Sequence, residues 1–281
     1  MKHRLNRFAE LSRWQYFGLL VVVLAHLVLH VAIVAVPQEP IFDEAAYVKD
    51  ARRINFEHRS ERNEHPPLAR LIVAKGTLLI GDNAWGWRTI PVILSTLGLI
   101  LFYDIARRLS KSHRLAFMAT FLLAFENFYF IHGGMAMLDI YVLFFSILSF
   151  WCYLKGPLWW WAAAVSGAAA ALSKFTGILV FVTIGLHWLY AERETLIGAV
   201  RAFGRLVKKE PAQAPASPTL LEGGFALPQE ASAGEKPVRL PYYRIPIFIF
   251  SMLLAPAAFI FMVAMFASGI LTTLIVYRSR Y

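Results

Sequence analysis

The sequence predicts an all-α, polytopic membrane protein, and three observations carry that class. Apolar residues make up 58% of the chain and charged residues 16%, against roughly half and a quarter in soluble domains. The apolar residues are blocked into runs of roughly 16 to 24, the length of a helix that spans a bilayer. Basic residues gather at the ends of those runs, where membrane topology places them.

The first run covers about 15–36, behind Lys2, Arg4, Arg7 and Arg13. It is longer than a signal-peptide core, and Pro37-Gln38-Glu39-Pro40 follows instead of a small-residue cleavage site, so it reads as a retained helix. Further helices are expected over 89–107, 114–132, 136–154, 158–173, 175–191 and 244–268, giving about seven spans in all. Arg107-Arg108 closes the second, and Lys155-Gly156-Pro157 closes the fourth. The apolar stretch 270–277 is too short to cross alone.

Three parts follow. Residues 1–209 form a membrane module, 210–241 a linker, and 242–281 a final helix with a short end. The linker is rich in Pro, Ala, Gly, Ser and Glu, and such a composition cannot bury enough surface to order itself. The basic segments at the N-terminus, 107–114, Lys155 and 191–209 fall on one side of the membrane, which the positive-inside rule makes cytoplasmic. Loop 37–88 is then external, in an integral membrane protein of the plasma membrane or an equivalent.

That loop is too long to be a simple connector. From Asp43 to Phe56, Tyr47, Ala51 and Ile54 recur at helical spacing; from Pro67 to Ile80, Leu68, Leu71, Ile72 and Leu79 share a face. Each segment is apolar on one side, so both are expected to lie flat at the membrane surface. The formal charge of +10 belongs to this topology and not to a nucleic-acid partner. Cys152 stands alone, which excludes an intramolecular disulfide.

Several polar residues fall at the outer ends of the predicted helices. Asp43 and Glu44 follow the first span; two carboxylates there suit helix capping as well as chemistry. His65 is held by Glu64 on one side and Pro66-Pro67 on the other, as a rigid turn or as a positioned side chain. Arg88, after Trp85-Gly86-Trp87, suits an aromatic belt or a phosphate, which its forked donors fit. Asp139 and Lys174 stand at membrane-embedded ends, where an ionisable group is a functional hypothesis by default. Glu126 is a further such group, with pairing to Arg88 or Lys174 as its structural alternative. Carboxylates beside cations suit activation of an acceptor hydroxyl with stabilisation of a phosphate leaving group.

Phe42-Asp43-Glu44, Glu64-His65-Pro66-Pro67-Leu68, Gly86-Trp87-Arg88 and Leu138-Asp139-Ile140, in this order, resemble the protein O-mannosyltransferase family over roughly 15–190. The resemblance implies a type C glycosyltransferase-like helical bundle. It implies transfer of a sugar, usually mannose, from a polyprenyl-phosphate carrier to a Ser or Thr hydroxyl of a secreted protein, with inversion. Bacterial relatives use lipid or cell-wall acceptors, so an envelope glycan is the other acceptor class. Asp43 would be the catalytic carboxylate, with Glu44 beside it; Arg88, Asp139 and Lys174 would line the carrier phosphate and sugar. Asp43, Glu44 and Asp139 could also give oxygen ligands to a divalent cation, though no spacing demands one. Membrane lipid is an expected partner, as is a companion chain supplying a C-terminal half. The sequence departs from the family pattern at Ala69-Arg70, where Gly-Lys is common, and at Gly134, where an Arg is frequent. A non-catalytic membrane subunit remains the alternative. A transporter is disfavoured because helices two to six show no pair of Gly- or Pro-broken segments around a midplane charge.

Overall fold

Long apolar stretches give the longest helices. Helix α1 runs Lys2–Ile33 and ends before Pro37. Helix α4 spans Ala84–Ser110 and begins where Asn83 accepts hydrogen bonds from the Trp85 and Gly86 amides (3.0 and 3.2 Å), the usual way to satisfy orphan donors of a first turn. Between them lie α2, Asp43–Phe56, and α3, Leu68–Ile80. Helices α5 (His113–Ala124), α6 (Asn127–Gly133), α7 (Leu138–Leu154), α8 (Trp160–Ser173) and α9 (Leu179–Ala191) follow, with short 3-10 turns before α8 and α9. The computed structural model describes residues 2–60, 64–194, 196–198 and 200–201. The linker, the helix expected at 244–268 and the stretch 270–277 lie outside the described residues.

Among the described residues two helices, Tyr16–Ile33 within α1 and α4, are long and apolar enough to cross a membrane, and α5 with α6 makes a third if the bent pair is one span. Helix α7 and the segment Phe175–Ala191 are apolar but shorter. Large apolar side chains such as Leu20, Val28, Met118, Leu122, Leu179 and Leu186 stand exposed, as they do when lipid covers them. Helix α4 is central and packs on α1, α3, α5, α6 and α7, while α8 lies along α7.

One expectation is corrected here. The continuous helix expected over 114–132 is two helices meeting at 62°. Glu126 causes the break. Its carboxylate accepts from the Phe128 and Tyr129 amides (3.0 and 2.8 Å) and so starts a new helix, because a side-chain acceptor competes with the helix ladder.

The buried face of α3 is a second correction. The expected face of Leu68, Leu71, Ile72 and Leu79 is only partly covered, and Leu79 is 79% exposed. The covered residues are Ala69, Arg70, Val73, Ala74, Gly76 and Thr77. Small residues let α3 approach α4 closely: a Cβ on Gly76 would stand 2.5 Å from the Gly86 carbonyl oxygen. Gly76→Ala is therefore expected to cost about 1–3 kcal/mol through overpacking, read as a lower midpoint of thermal unfolding in detergent. Arg70 is buried because Asp50 on α2 meets its Nη1 at 2.9 Å, and its Nη2 donates to the His65 carbonyl (2.9 Å). Breaking such a buried pair strands a charge, so Arg70 ties the loop at His65 to both helices.

Candidate functional site at the α2 end of the bundle

A buried ion pair organises this end. Glu44, in the first turn of α2, is fully buried, and Arg88 in the first turn of α4 is 2% exposed. The contact is bidentate: Nε donates to Oε1 (2.9 Å) and Nη2 to Oε2 (2.7 Å). The other N–H groups of Arg88 reach the carbonyls of Val34 (2.9 Å), Pro37 (2.7 Å) and Glu39 (3.1 Å). A guanidinium has five N–H donors, and all five are engaged. Arg88 thus fastens the chain leaving α1 to α2 and α4, and no donor remains for a phosphate in this arrangement.

Glu44 extends the clamp. Its Oε1 accepts from the Ala136 amide (2.8 Å) and its Oε2 from the Ile41 amide (3.3 Å). The segment leading into α7 is thereby bound to the start of α2. Asp43 is the next residue along and is exposed, and Asp139 lies three residues beyond Ala136. Phe42, just before Asp43, has φ 50 and is 84% exposed; a positive φ is costly for a bulky residue. The anchored Glu44 holds the strained turn that presents Asp43 to solvent.

Asp139 pairs with Lys174 through Oδ1 (2.8 Å), joining the start of α7 to the residue after α8. Both side chains keep about a quarter of their surface exposed, at 27% and 26%. His132 of α6 adds a third group, its Nδ1 3.7 Å from Asp139 Oδ2. Its ring stacks on Phe128 at 3.9 Å between centroids, and among the described residues Nδ1 has no hydrogen-bond partner.

Not every expected residue joins this group. His65 enters through its backbone, whose carbonyl takes Arg70, while its buried Nδ1 has no hydrogen-bond partner among the described residues. Glu126 is exposed and spends its carboxylate on the α6 cap, so pairing with Arg88 or Lys174 is not its role. Among the described residues no group of three or more His, Cys, Asp or Glu side chains could hold a metal ion. The trio Asp43, Glu44 and Asp139 does not gather as ligands, since both Glu44 oxygens are already bound.

Sequence reasoning missed His132, and also His26 and His30 on α1, which are buried at 0% and 1% exposure. The signal for the pair was their spacing: residues four apart share a helix face, and two histidines inside an apolar span are unusual.

The frame has known counterparts. It superposes on a structure of the S. cerevisiae protein O-mannosyltransferase Pmt1-Pmt2 complex bound to the sugar donor, with TM-score 0.57 and 20% identity over 63% of this chain and 28% of that one. The polyprenol-phosphate-mannose–protein mannosyltransferase of Corynebacterium glutamicum is 33% identical over 128 residues, 41% of this chain and 25% of its own. Its counterpart in Mycobacterium tuberculosis is 32% identical over 117 residues, 40% of this chain and 22% of its own. The chain spans about a quarter of the length of these curated relatives. The long apolar helices mark this as an integral membrane protein. The family model for dolichyl-phosphate-mannose-protein mannosyltransferases matches residues 19–197. That match crosses every helix that frames the Asp43 turn and the Asp139–Lys174 pair, and the chain therefore belongs to this family.

Proposed function

We propose that the chain is a membrane glycosyltransferase, or the catalytic-loop part of one. It moves mannose from a polyprenyl-phosphate carrier to a hydroxyl of a Ser or Thr in a secreted protein, with inversion. One observation carries the reading: Glu44 binds both Arg88 and the Ala136 amide, and so ties the turn that exposes Asp43 to the segment leading into Asp139, which pairs with Lys174. A carboxylate facing solvent can act as a general base, and a partly exposed ammonium suits a phosphate.

In this scheme the acceptor hydroxyl gives its proton to Asp43 as its oxygen attacks the anomeric carbon. The bond from that carbon to the phosphate oxygen breaks, and the electron pair leaves with the polyprenyl phosphate. Lys174, oriented by Asp139, offsets the charge that grows on the leaving phosphate. Arg88 and Glu44 act by holding the turn.

The proposed setting is about seven spans with the N-terminus cytoplasmic and the 37–88 loop external, so that α2 and α3 lie at the water–lipid border near a lipid-linked donor. A partner chain belongs to the reading, by likeness to the yeast complex. The test is transfer of labelled mannose from polyprenyl-phosphate mannose to a Ser/Thr-rich peptide by membranes with and without the chain. Label incorporation that depends on the chain is expected; equal incorporation in both would overturn the reading. Lys174→Met is expected to lower kcat/KM for the donor about tenfold, the loss of one favourable charge contact of roughly 1.4 kcal/mol in the transition state, measured in the same assay.

A further inference from the structure

Helix breaks leave carbonyls without partners, and in lipid each one is costly. The α5–α6 break frees such groups beside α1. Ala124 is the last residue of α5 and Phe130 stands in the last turn of α6. His26 Nδ1 lies 3.1 Å from the Ala124 carbonyl and His30 Nε2 lies 2.8 Å from the Phe130 carbonyl. A carbonyl only accepts, so these contacts are hydrogen bonds in the tautomers with His26 protonated on Nδ1 and His30 on Nε2. His26 is also anchored through Nε2, 3.2 Å from Ser95 Oγ on α4; His30 Nδ1 lies 2.8 Å from the His26 carbonyl one turn back, and since a neutral ring carries one N–H, it donates to that carbonyl or to Phe130, not to both. Tyr129 completes the clasp by donating its hydroxyl to the Ser95 carbonyl (2.6 Å).

The histidines press on the turn after α6. A Cβ on Gly134 would stand 2.9 Å from His30 Cδ2, and one on Gly133 would stand 2.8 Å from Ser95 Cβ. Glycine at both positions lets the turn close onto His30 and Ser95. That turn continues to Ala136, whose amide holds Glu44, and to Asp139.

The geometry points to His26 and His30 as positioning residues: they tie the broken helix to α1, and so fix the 133–137 turn against Glu44 and the Asp139–Lys174 pair. Neither touches the donor or acceptor; they act through the turn. The catalytic consequence rests on the function proposed above, whereas the positioning itself does not.

The experiment is amide hydrogen exchange on the full chain in lipid nanodiscs, combined with the mannosyl-transfer assay. His26→Leu and His30→Leu remove the donors and keep an apolar side chain. Each is expected to speed exchange over 125–137 about tenfold and to lower kcat with KM for the donor little changed. His26→Asn and His30→Gln keep a donor at a similar reach and should restore protection and kcat. Gly134→Ala, which keeps both histidines but crowds His30, should reproduce the Leu phenotype and covers the case in which a Leu variant fails to fold. Unchanged exchange over 125–137 in the Leu variants and in Gly134→Ala would overturn the inference. Faster exchange in a chain whose wild type transfers no mannose would support the positioning role and count against the proposed function alone.

Discussion

Glu44→Ala should destabilise the protein more than any other single change considered, by about 3–5 kcal/mol. The loss has a specific origin. Arg88 is 2% exposed, and without Glu44 its charge stays buried with only backbone carbonyls as partners. The Ala136 and Ile41 amides lose their acceptor in the same step, which adds the cost of stranded donors. Glu44→Gln keeps the volume and one acceptor, yet places an NH2 group against a guanidinium or an amide, so it should fall between wild type and Ala. Arg88→Lys is expected to behave like a loss, because a single ammonium cannot match five fixed donors. Thermal unfolding in detergent, followed by helical circular dichroism, reads all three.

Asp43→Asn should do the opposite: leave the unfolding midpoint within a degree or two and lower transfer by about 10²–10⁴-fold, the usual worth of a general base. Asp43 is exposed, and among the described residues no hydrogen bond or ion pair of its carboxylate supports the fold. Its neighbour Glu44 carries the architecture. Adjacent carboxylates in one helical turn thus separate into two roles, and the two variants separate them by measurement: Glu44→Ala should lose stability and activity together, and Asp43→Asn activity alone.

Much of the fold was legible because lipid-spanning helices write their length and limits in hydropathy. The α2 segment from Asp43 follows from the helical spacing of Tyr47, Ala51 and Ile54, and α8 and α9 follow within a few residues from apolar runs bounded by charge, Gly and Pro. The break at Glu126 was not legible, because a single Glu inside an apolar run reads equally as a buried charge or a cap. Only the path of α6 decides that. The buried face of α3 was misread for a related reason: size was taken for burial, while close helix approach rewards Ala and Gly and sends Leu79 outward. At the site, Asp43, Glu44, Arg88, Asp139 and Lys174 could be picked out as outer-end polar groups. What sequence could not divide was their labour. That Arg88 spends every donor on Glu44 and three carbonyls depends on how the chain turns between Val34 and Glu39, a path with no periodic signal.

The most direct measurement places the donor. A photoreactive polyprenyl-phosphate mannose, activated in membranes containing the full chain, would label the residues lining its site, and mass spectrometry would map them. The account predicts label on 42–44, on 132–139 and at Lys174. Label confined to the opposite end of the bundle, around Tyr103, His113 and Lys155, would contradict it.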